Sequence, residues 1–214
     1  MLRRDFSALL GLAALPALSL AQIAEGRQYL RLNPPQPQPA GKIEVLEFFL
    51  YSCPHCFAFD PSLREWQKQL PPDVVFRRVH GGFNAMTRLL QKLYFTLEAM
   101  GKLPELHERV FAAIHVEGAD VSSDEAIEKL MARFGVDVAK FKQTSTSFGV
   151  QSKCLAANKT SENYHVDSVP TVVVGGRFVT SPAMAAPRGV NETQAGQMTI
   201  PVINQLIQMA RSHA

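Results

Sequence analysis

The amino-acid sequence predicts an α/β protein in which an all-helical segment interrupts a sheet domain. Three observations predict this fold class: a strand–helix–strand pattern early in the chain, a run of amphipathic helices, and two short strands with a closing helix. With 214 residues the chain can bury one substantial core. The net charge is +3, and the sequence has no basic stripe with interleaved aromatic residues. We therefore expect no nucleic-acid partner.

Residues 1–21 differ in composition from the rest of the chain and resemble a secretory signal peptide. Arg3 and Arg4 form a positively charged start, an apolar stretch follows, and Ser19-Leu20-Ala21 ends in small residues. The apolar stretch is short for a membrane span. We therefore predict cleavage after Ala21 and export to an oxidising compartment, by either general secretion or a twin-arginine route.

The first sheet segment follows a proline-rich stretch, residues 33–39, which predicts an extended linker. Residues 42–51 are β-branched and aromatic and predict a strand. A helix is predicted from residue 54 to about 70, where two prolines stop it, and residues 74–79 predict the next strand. This order predicts two parallel strands joined by a helix.

The middle of the chain, from residue 84 to about 150, contains only helical patterns. The first predicted helix ends at Gly101, and the second covers residues 103–115. The third starts at a capping-box pair of Ser122 and Glu125 and ends at Gly135. A fourth helix runs through Phe141, and a fifth covers about 148–164.

Strand chemistry returns at residues 171–174, and Gly175-Gly176 predicts a two-residue hairpin turn into a strand over 177–180. The last helix is predicted over 201–211, with proline at its first position. These elements predict a first sheet part over 22–82, a helical insertion over 83–150 and a second sheet part over 151–214.

The three cysteines suggest a catalytic pair rather than a structural framework, because an odd number cannot be fully paired within one chain. Cys53 and Cys56 are close in sequence, and Cys154 stands alone. Cys154 has helical spacing from Val150 and Ala157, which predicts a buried core thiol. A reactive or dimer-forming thiol is the alternative.

The Cys53-Pro54-His55-Cys56 sequence lies at the start of a predicted helix. Cys53 falls at the N-cap, with Pro54 at the first helical position, so its sulfur faces free backbone N–H groups and the positive end of the helix dipole. Both lower the pKa of Cys53, and His55, if cationic, adds to the effect. Stabilising the thiolate stabilises the reduced form, which predicts an oxidising disulfide.

Two other uses of a closely spaced cysteine pair are a zinc site and a structural disulfide. A zinc site needs four ligands, and beyond Cys154 the chain offers only histidines without ligand spacing: His80, His107, His115 and His165. We predict these histidines to be ordinary surface or core residues. A purely structural disulfide would close too small a loop to restrain the unfolded chain. We therefore expect no metal and no cofactor other than the cysteine pair.

Several segments are similar to the DsbA family, the periplasmic disulfide oxidases of the thioredoxin superfamily. They occur in the family's order along the mature chain: Glu25-Gly26-Arg27-Gln28-Tyr29, Leu46-Glu47-Phe48-Phe49, Tyr51-Ser52-Cys53-Pro54-His55-Cys56, Gly81-Gly82 and Ser168-Val169-Pro170-Thr171. The resemblance implies a thioredoxin fold with an inserted helical domain, which agrees with the element order above. It also implies a periplasmic protein.

The resemblance assigns roles to individual residues. It implies that Cys53 is the exposed nucleophile and Cys56 the resolving thiol. It also implies a cis peptide bond before Pro170, which places the Val169 backbone beside the Cys53 sulfur and lets it pair with an extended substrate. The partners it implies are reduced secreted proteins and a quinone-linked membrane reoxidant of the DsbB type. We expect a monomer.

Glu47 is the candidate proton relay. It lies inside a strand that should be buried, and burial raises the pKa of a carboxyl, so it can relay a proton for Cys56. A purely structural carboxylate is the alternative. The family often pairs this acid with a lysine, whereas this chain has valines at 74–75 and then Arg77 and Arg78, so the partner of Glu47 stays open.

Two other functions compete with an oxidase. A disulfide isomerase or reductase of the same fold shares the chemistry, but isomerases carry a long N-terminal dimerisation domain that is not present between residue 21 and the first strand. A redox-regulated chaperone would hold clients without oxidising them. The sequence leaves open whether the clients are general or dedicated.

Overall fold

In a computed structural model that describes residues 22–212, a five-stranded mixed sheet is packed with helices. The predicted signal peptide lies outside the described residues. The strands are β1 Leu30–Arg31, β2 Ile43–Phe49, β3 Val74–His80, β4 Thr171–Val174 and β5 Phe178–Thr180. Their order is β1-β5-β4-β2-β3, with β2 and β3 parallel and the other neighbours antiparallel. The predicted parallel pair is therefore confirmed.

Five long helices interrupt the sheet between β3 and β4, as the sequence predicts. The helices are α1 Pro54–Gln67, α2 Ala85–Ala99, α3 Leu103–His115, α4 Asp124–Arg133, α5 Val138–Ser145, α6 Phe148–Asn163, α7 Pro182–Ala185 and α8 Glu192–Arg211. Within residues 22–212, no helix has the length and apolar character needed to span a membrane. The boundary predicted at residue 150 falls inside α6, which contacts both α2 and β3, so the division into domains stays a prediction.

Two hydrophobic clusters hold these elements together. One joins Leu46 and Phe48 of β2 to the inserted helices α2–α6. The other joins Val45 of β2 to α1 and α8. Because one cluster covers each face of β2, its side chains are buried on both faces, which explains its nearly continuous apolar sequence.

The capping-box prediction for α4 was wrong by one residue. Ser123, not Ser122, is the N-cap, and its hydroxyl accepts a hydrogen bond from the Ala126 N–H at 3.2 Å. Ser122 instead donates its hydroxyl hydrogen to Asp120 at 2.6 Å. Either of the two adjacent serines could cap the helix with its hydroxyl oxygen. Because the Ser122 hydroxyl is hydrogen-bonded to Asp120, Ser123 is the one that caps the helix.

The structure differs from the prediction at the start of the last helix, at two short elements and at the hairpin turn. Helix α8 begins at Glu192, because Asn191 caps it by accepting from the Gln194 N–H, and Pro201 lies inside the helix. The short elements β1 and α7 were not predicted. Val174 pairs with Phe178, so the hairpin turn holds three residues, 175–177, rather than two.

The proline-rich stretch lies along this hairpin and bends at residues 33–34, where the Asn33–Pro34 peptide bond is cis, so its extended form stays a prediction. The Leu32 N–H donates to the Arg177 carbonyl at 2.7 Å, and the Gln36 N–H donates to the Gly176 carbonyl at 2.9 Å. Gly176 has a φ of 59°, and a Cβ at this position would collide with the Gln36 carbonyl. The close approach of the two segments therefore requires glycine.

Candidate active site

Cys53 lies at the N-cap of α1, where the sequence places it. Its backbone is extended, with φ −89° and ψ 117°, and Pro54 occupies the first turn. All three cysteines are free thiols, so the structure shows the reduced form. The Cys53 side chain is half-buried, whereas Cys56 is fully buried. The two sulfurs therefore differ in their access to a substrate.

Hydrogen bonding lowers the pKa of Cys53 to about 6. The largest cause is the hydrogen bond from the Cys56 thiol, which outweighs the opposing effect of burial. The backbone N–H groups of Cys56 and His55 and the charge of His55 lower it further. The predicted direction agrees with the sequence analysis, but the main donor is the second thiol rather than the helix end.

Cys56 behaves in the opposite way. Burial raises its pKa far above the ordinary thiol value, and the hydrogen bond to Cys53 and the charges of Cys53 and Glu47 raise it further. At neutral pH the pair therefore consists of one thiolate and one thiol. In such a pair Cys53 is the nucleophile and the better leaving group, and Cys56 needs a proton.

The Val169–Pro170 loop lies directly against the nucleophile. The peptide bond is cis, and the Cys53 Sγ lies 3.5 Å from the Val169 carbonyl oxygen. A groove of about 350 Å³ runs from this loop between His55 and the start of α8. The His55 Nδ1 lies 2.8 Å from the Glu192 carboxylate at the edge of the groove. The structure thus brings Cys53, His55, Val169 and Pro170 together.

Glu47 is buried, as predicted, and its partner is Arg78. The two residues are directly opposite in the parallel β2–β3 register, and the Arg78 Nε donates to the carboxylate at 2.8 Å. Burial raises the pKa of Glu47 to about 7, against the opposing charge of Arg78. The partner of Glu47 that the sequence left open is thus an arginine. The Glu47 carboxyl holds its proton up to near neutral pH.

Arg78 also bridges Glu47 to a second buried acid, Asp60 of α1. A terminal guanidinium nitrogen of Arg78 donates to Asp60 Oδ1 at 2.9 Å. His107 of α3 lies 3.1 Å from the same oxygen through Nε2 and 2.8 Å from the Tyr51 hydroxyl through Nδ1. Burial alone would raise the pKa of Asp60, but these cationic and hydrogen-bonding neighbours hold it below the ordinary value.

Three histidines hold Tyr51, two residues before the nucleophile. The Tyr51 N–H donates to His80 Nε2 at 3.1 Å, His115 Nε2 donates to the Tyr51 carbonyl at 2.8 Å, and His107 bonds the hydroxyl. Burial lowers the pKa of His80 to about 3, so its ring is neutral. His115 also stacks on Phe57, the residue after Cys56, with ring centroids 5.0 Å apart.

Sequence reasoning missed these residues as parts of the site. His80 and His107 are core residues and His115 is half-buried, as predicted, but the prediction did not include their contacts with Tyr51 in the segment that carries the dithiol. A signal was present for His107, because it shares the inward face of α3 with Val110, Phe111 and Ile114. A histidine on an apolar face needs a buried polar partner.

Cys154 was predicted to be buried and is only half-buried on α6. It packs against the edge of the larger hydrophobic cluster, and burial raises its pKa above the ordinary thiol value. It lies on α6 and takes part in none of the contacts described for Cys53 and Cys56. Among residues 22–212, no three His, Cys, Asp or Glu side chains are grouped so that they can hold a metal ion.

A dithiol with one ionised and one protonated sulfur, carried on a thioredoxin-type sheet, performs thiol–disulfide exchange, and the chain is a thiol:disulfide oxidoreductase. A sequence profile of the family described as DSBA-like thioredoxin domain matches residues 73–186. The chain belongs to this family.

Two named relatives cover 96% and 76% of the chain. It is 43% identical over 211 residues to the thiol:disulfide interchange protein DsbA of Bordetella parapertussis, covering 96% of this chain and 97% of the relative. It is 42% identical to that of Azotobacter vinelandii over 76% of each chain. The crystal structure of Pseudomonas aeruginosa DsbA superposes with a TM-score of 0.80 at 34% identity, covering 88% of this chain and 94% of that one.

Proposed function

We propose that the protein is an oxidase that donates the Cys53–Cys56 disulfide to reduced secreted proteins. The observation that carries the proposal is the asymmetry of the pair: the pKa of half-buried Cys53 is about 6, and that of buried Cys56 is strongly raised. Stabilising the Cys53 thiolate stabilises the reduced enzyme, so the disulfide readily accepts electrons from a substrate.

The exchange takes two steps. A substrate thiolate attacks the Cys53 sulfur, the Cys53–Cys56 bond breaks, and its electron pair goes to Cys56. A second substrate thiolate then attacks the substrate sulfur of the mixed disulfide. Cys53 leaves as a thiolate, and the substrate leaves with a disulfide. The low pKa of Cys53 makes this second departure favourable.

Glu47 serves as the proton donor in the first step. Cys56 is a poor leaving group unless it is protonated as the bond breaks, because burial disfavours its thiolate. The Glu47 carboxyl is close enough for its charge to raise the pKa of Cys56, and it holds a proton to about pH 7. Its proton can therefore pass to Cys56 when the disulfide opens.

The remaining roles follow from the same site. Val169 and Pro170 border the groove in which an extended client pairs with the backbone, Pro54 and His55 complete the active-site turn, and a DsbB-type membrane protein reoxidises the dithiol. The enzyme is a monomer of the periplasm, exported by residues 1–21. No cofactor beyond the cysteine pair takes part.

A redox titration against glutathione tests the direction of transfer. We expect the pair to be more oxidising than glutathione and the oxidised protein to form disulfides in a reduced client. Cys53→Ala abolishes client oxidation, whereas Cys154→Ala retains it, since that thiol lies outside the site. A potential well below that of glutathione would make the protein a reductase instead.

A further inference from the structure

The buried polar cluster extends beyond the acid that serves Cys56. Glu47, Arg78, Asp60 and His107 are connected by contacts of 2.8, 2.9 and 3.1 Å, and Arg78 lies at the centre. The side chains of Glu47, Asp60 and His107 are 2%, 4% and 9% exposed. The charges of side chains this deeply buried must balance, because an unpaired buried charge costs several kcal/mol.

The cluster is neutral when Glu47 and His107 share a single proton. Arg78 is cationic and Asp60, whose pKa is held low, is anionic, so these two charges cancel. Arg64 also contacts Asp60 at 2.8 Å, but it is paired in turn with Glu108 at 2.8 Å, and the charges of this second pair cancel as well. A proton on Glu47 with neutral His107 gives zero net charge, and ionised Glu47 with cationic His107 gives zero as well. Ionised Glu47 with neutral His107 leaves one buried negative charge uncompensated.

We propose that His107 is a positioning residue that takes up a proton when Glu47 gives its proton to Cys56, and so keeps the buried cluster neutral during disulfide exchange. His107 acts on Glu47 through the Asp60–Arg78 bridge, and no proton moves along that bridge. The inference rests on the proposed role of Glu47 as the proton donor.

His107 has a route to solvent that Glu47 lacks. It lines a cavity of about 680 Å³, together with Arg64, Arg78, Tyr94 and Glu108. Its Nε2 carries a hydrogen in either state, since its partner is the ionised Asp60. Its Nδ1 faces the Tyr51 hydroxyl, which can donate to the neutral ring or accept from the cationic ring.

The charged and titratable groups around His107 set when it is protonated. Asp60 favours the cation, whereas Arg64 of α1 and Arg78 of β3 disfavour it. His80 of β3 is neutral, Tyr94 of α2 lies 6.3 Å away between ring centroids, and Tyr51 bonds Nδ1. Burial keeps the ring neutral at rest, so uptake requires the new negative charge on Glu47.

The first step opens the Cys53–Cys56 disulfide and takes up one proton from solvent. The substrate sulfur bonds to the Cys53 sulfur, and the electron pair of the broken disulfide goes to Cys56. Cys56 receives the proton of Glu47, and His107 receives one proton from water in the cavity. Opening each disulfide therefore consumes one proton from solvent, and reoxidation of the dithiol returns it.

The test measures the rate at which a dithiol peptide reduces the oxidised protein in a single turnover. The reaction is started by rapid mixing and stopped by acid quench, at pH values from 5 to 8. His107→Gln retains both hydrogen bonds, because its amide can donate to Asp60 and accept from Tyr51, but it cannot take a proton. We expect a rate about tenfold lower at pH 7 or above, with the difference shrinking towards pH 5. His165→Asn, at an exposed position with a φ of 51° that asparagine tolerates, should behave like the wild type.

A double-mutant cycle separates this inference from the proposed function. We expect Glu47→Gln to be slow and the double variant Glu47→Gln/His107→Gln to be no slower, because His107 acts through Glu47. Wild-type rates for His107→Gln at every pH, or additive losses in the double variant, overturn the role of His107 and leave Glu47 in place. Wild-type rates for Glu47→Gln overturn the proton donor itself, together with this inference.

Discussion

Glu47→Gln replaces a buried carboxylic acid by an amide of nearly the same shape, and the amide oxygen can still accept from Arg78. The carboxyl pKa is raised from 4.5 to about 7 by burial. The unfolded chain releases this proton near pH 4.5, whereas the folded protein retains it to about pH 7. Folding stability through Glu47 is therefore fully present below pH 4.5 and is lost as the pH rises towards 7.

The size of this effect follows from the two pKa values. At about 1.4 kcal/mol for each pH unit, the displacement from 4.5 to about 7 corresponds to about 3 kcal/mol. The amide has no proton to lose, so the reduced Glu47→Gln protein should match the wild type near pH 4.5 and exceed its stability by up to about 3 kcal/mol above pH 7. For a chain of this size that is about 6–12 °C in Tm.

Denaturant unfolding of the reduced protein from pH 4.5 to pH 8 measures this difference. Glu44→Gln is the matched control, since Glu44 lies on the same strand in an ion pair with Arg77 that is exposed on the arginine side. We expect it to change stability by about 0–1 kcal/mol. Parallel stability curves for Glu47→Gln and the wild type would show that the buried carboxyl is ionised throughout, and the reasoning would be wrong.

Three further outcomes are expected. The thiolate absorbance of the reduced protein should show half-ionisation of Cys53 near pH 6 and be lost in Cys53→Ala, and a midpoint near that of free cysteine would contradict the site geometry. His80→Ala should lower the free energy of unfolding at pH 7 by about 2–4 kcal/mol, because it leaves the Tyr51 N–H without its acceptor. Denaturant unfolding measures this loss, and an unchanged denaturation midpoint would show that the Tyr51 N–H finds another partner. Gly176→Ala should cost more than about 1 kcal/mol through the Gln36 contact and the left-handed backbone, and more than Gly118→Ala, which has a similar φ but open space; equal losses would refute the contact.

The sequence predicted the parts of the fold whose signals are local and strong. The α1 start was predictable because Pro54 and a cysteine N-cap mark a helix beginning, and α3 was predicted to the residue by its apolar spacing. The start of α8 was missed because Pro201 has the appearance of a first-turn proline, while the actual cap is the polar Asn191, ten residues before the predicted start. Local rules do not distinguish a proline that begins a helix from one tolerated within it.

The site divides in the same way. Cys53, Cys56 and the proline loop are contiguous motifs, so the sequence predicts them. The partner of Glu47 depends on strand register, and only the alignment of Glu47 with Arg78 across β2 and β3 selects this arginine over its neighbour. Asp60 and His107 come from two separate helices, and their contact is a product of tertiary packing that no local pattern encodes.

The two edges of the sheet have a consequence for an enzyme that meets unfolded chains. One edge is β1, which is only two residues long, and the other is β3, which carries Arg77 and Arg78. Short strands and charged side chains both discourage another chain from extending the sheet. An extended chain therefore gains little by pairing along either edge of the sheet, so under the proposed function the Val169 backbone beside Cys53 remains the place where a client would pair.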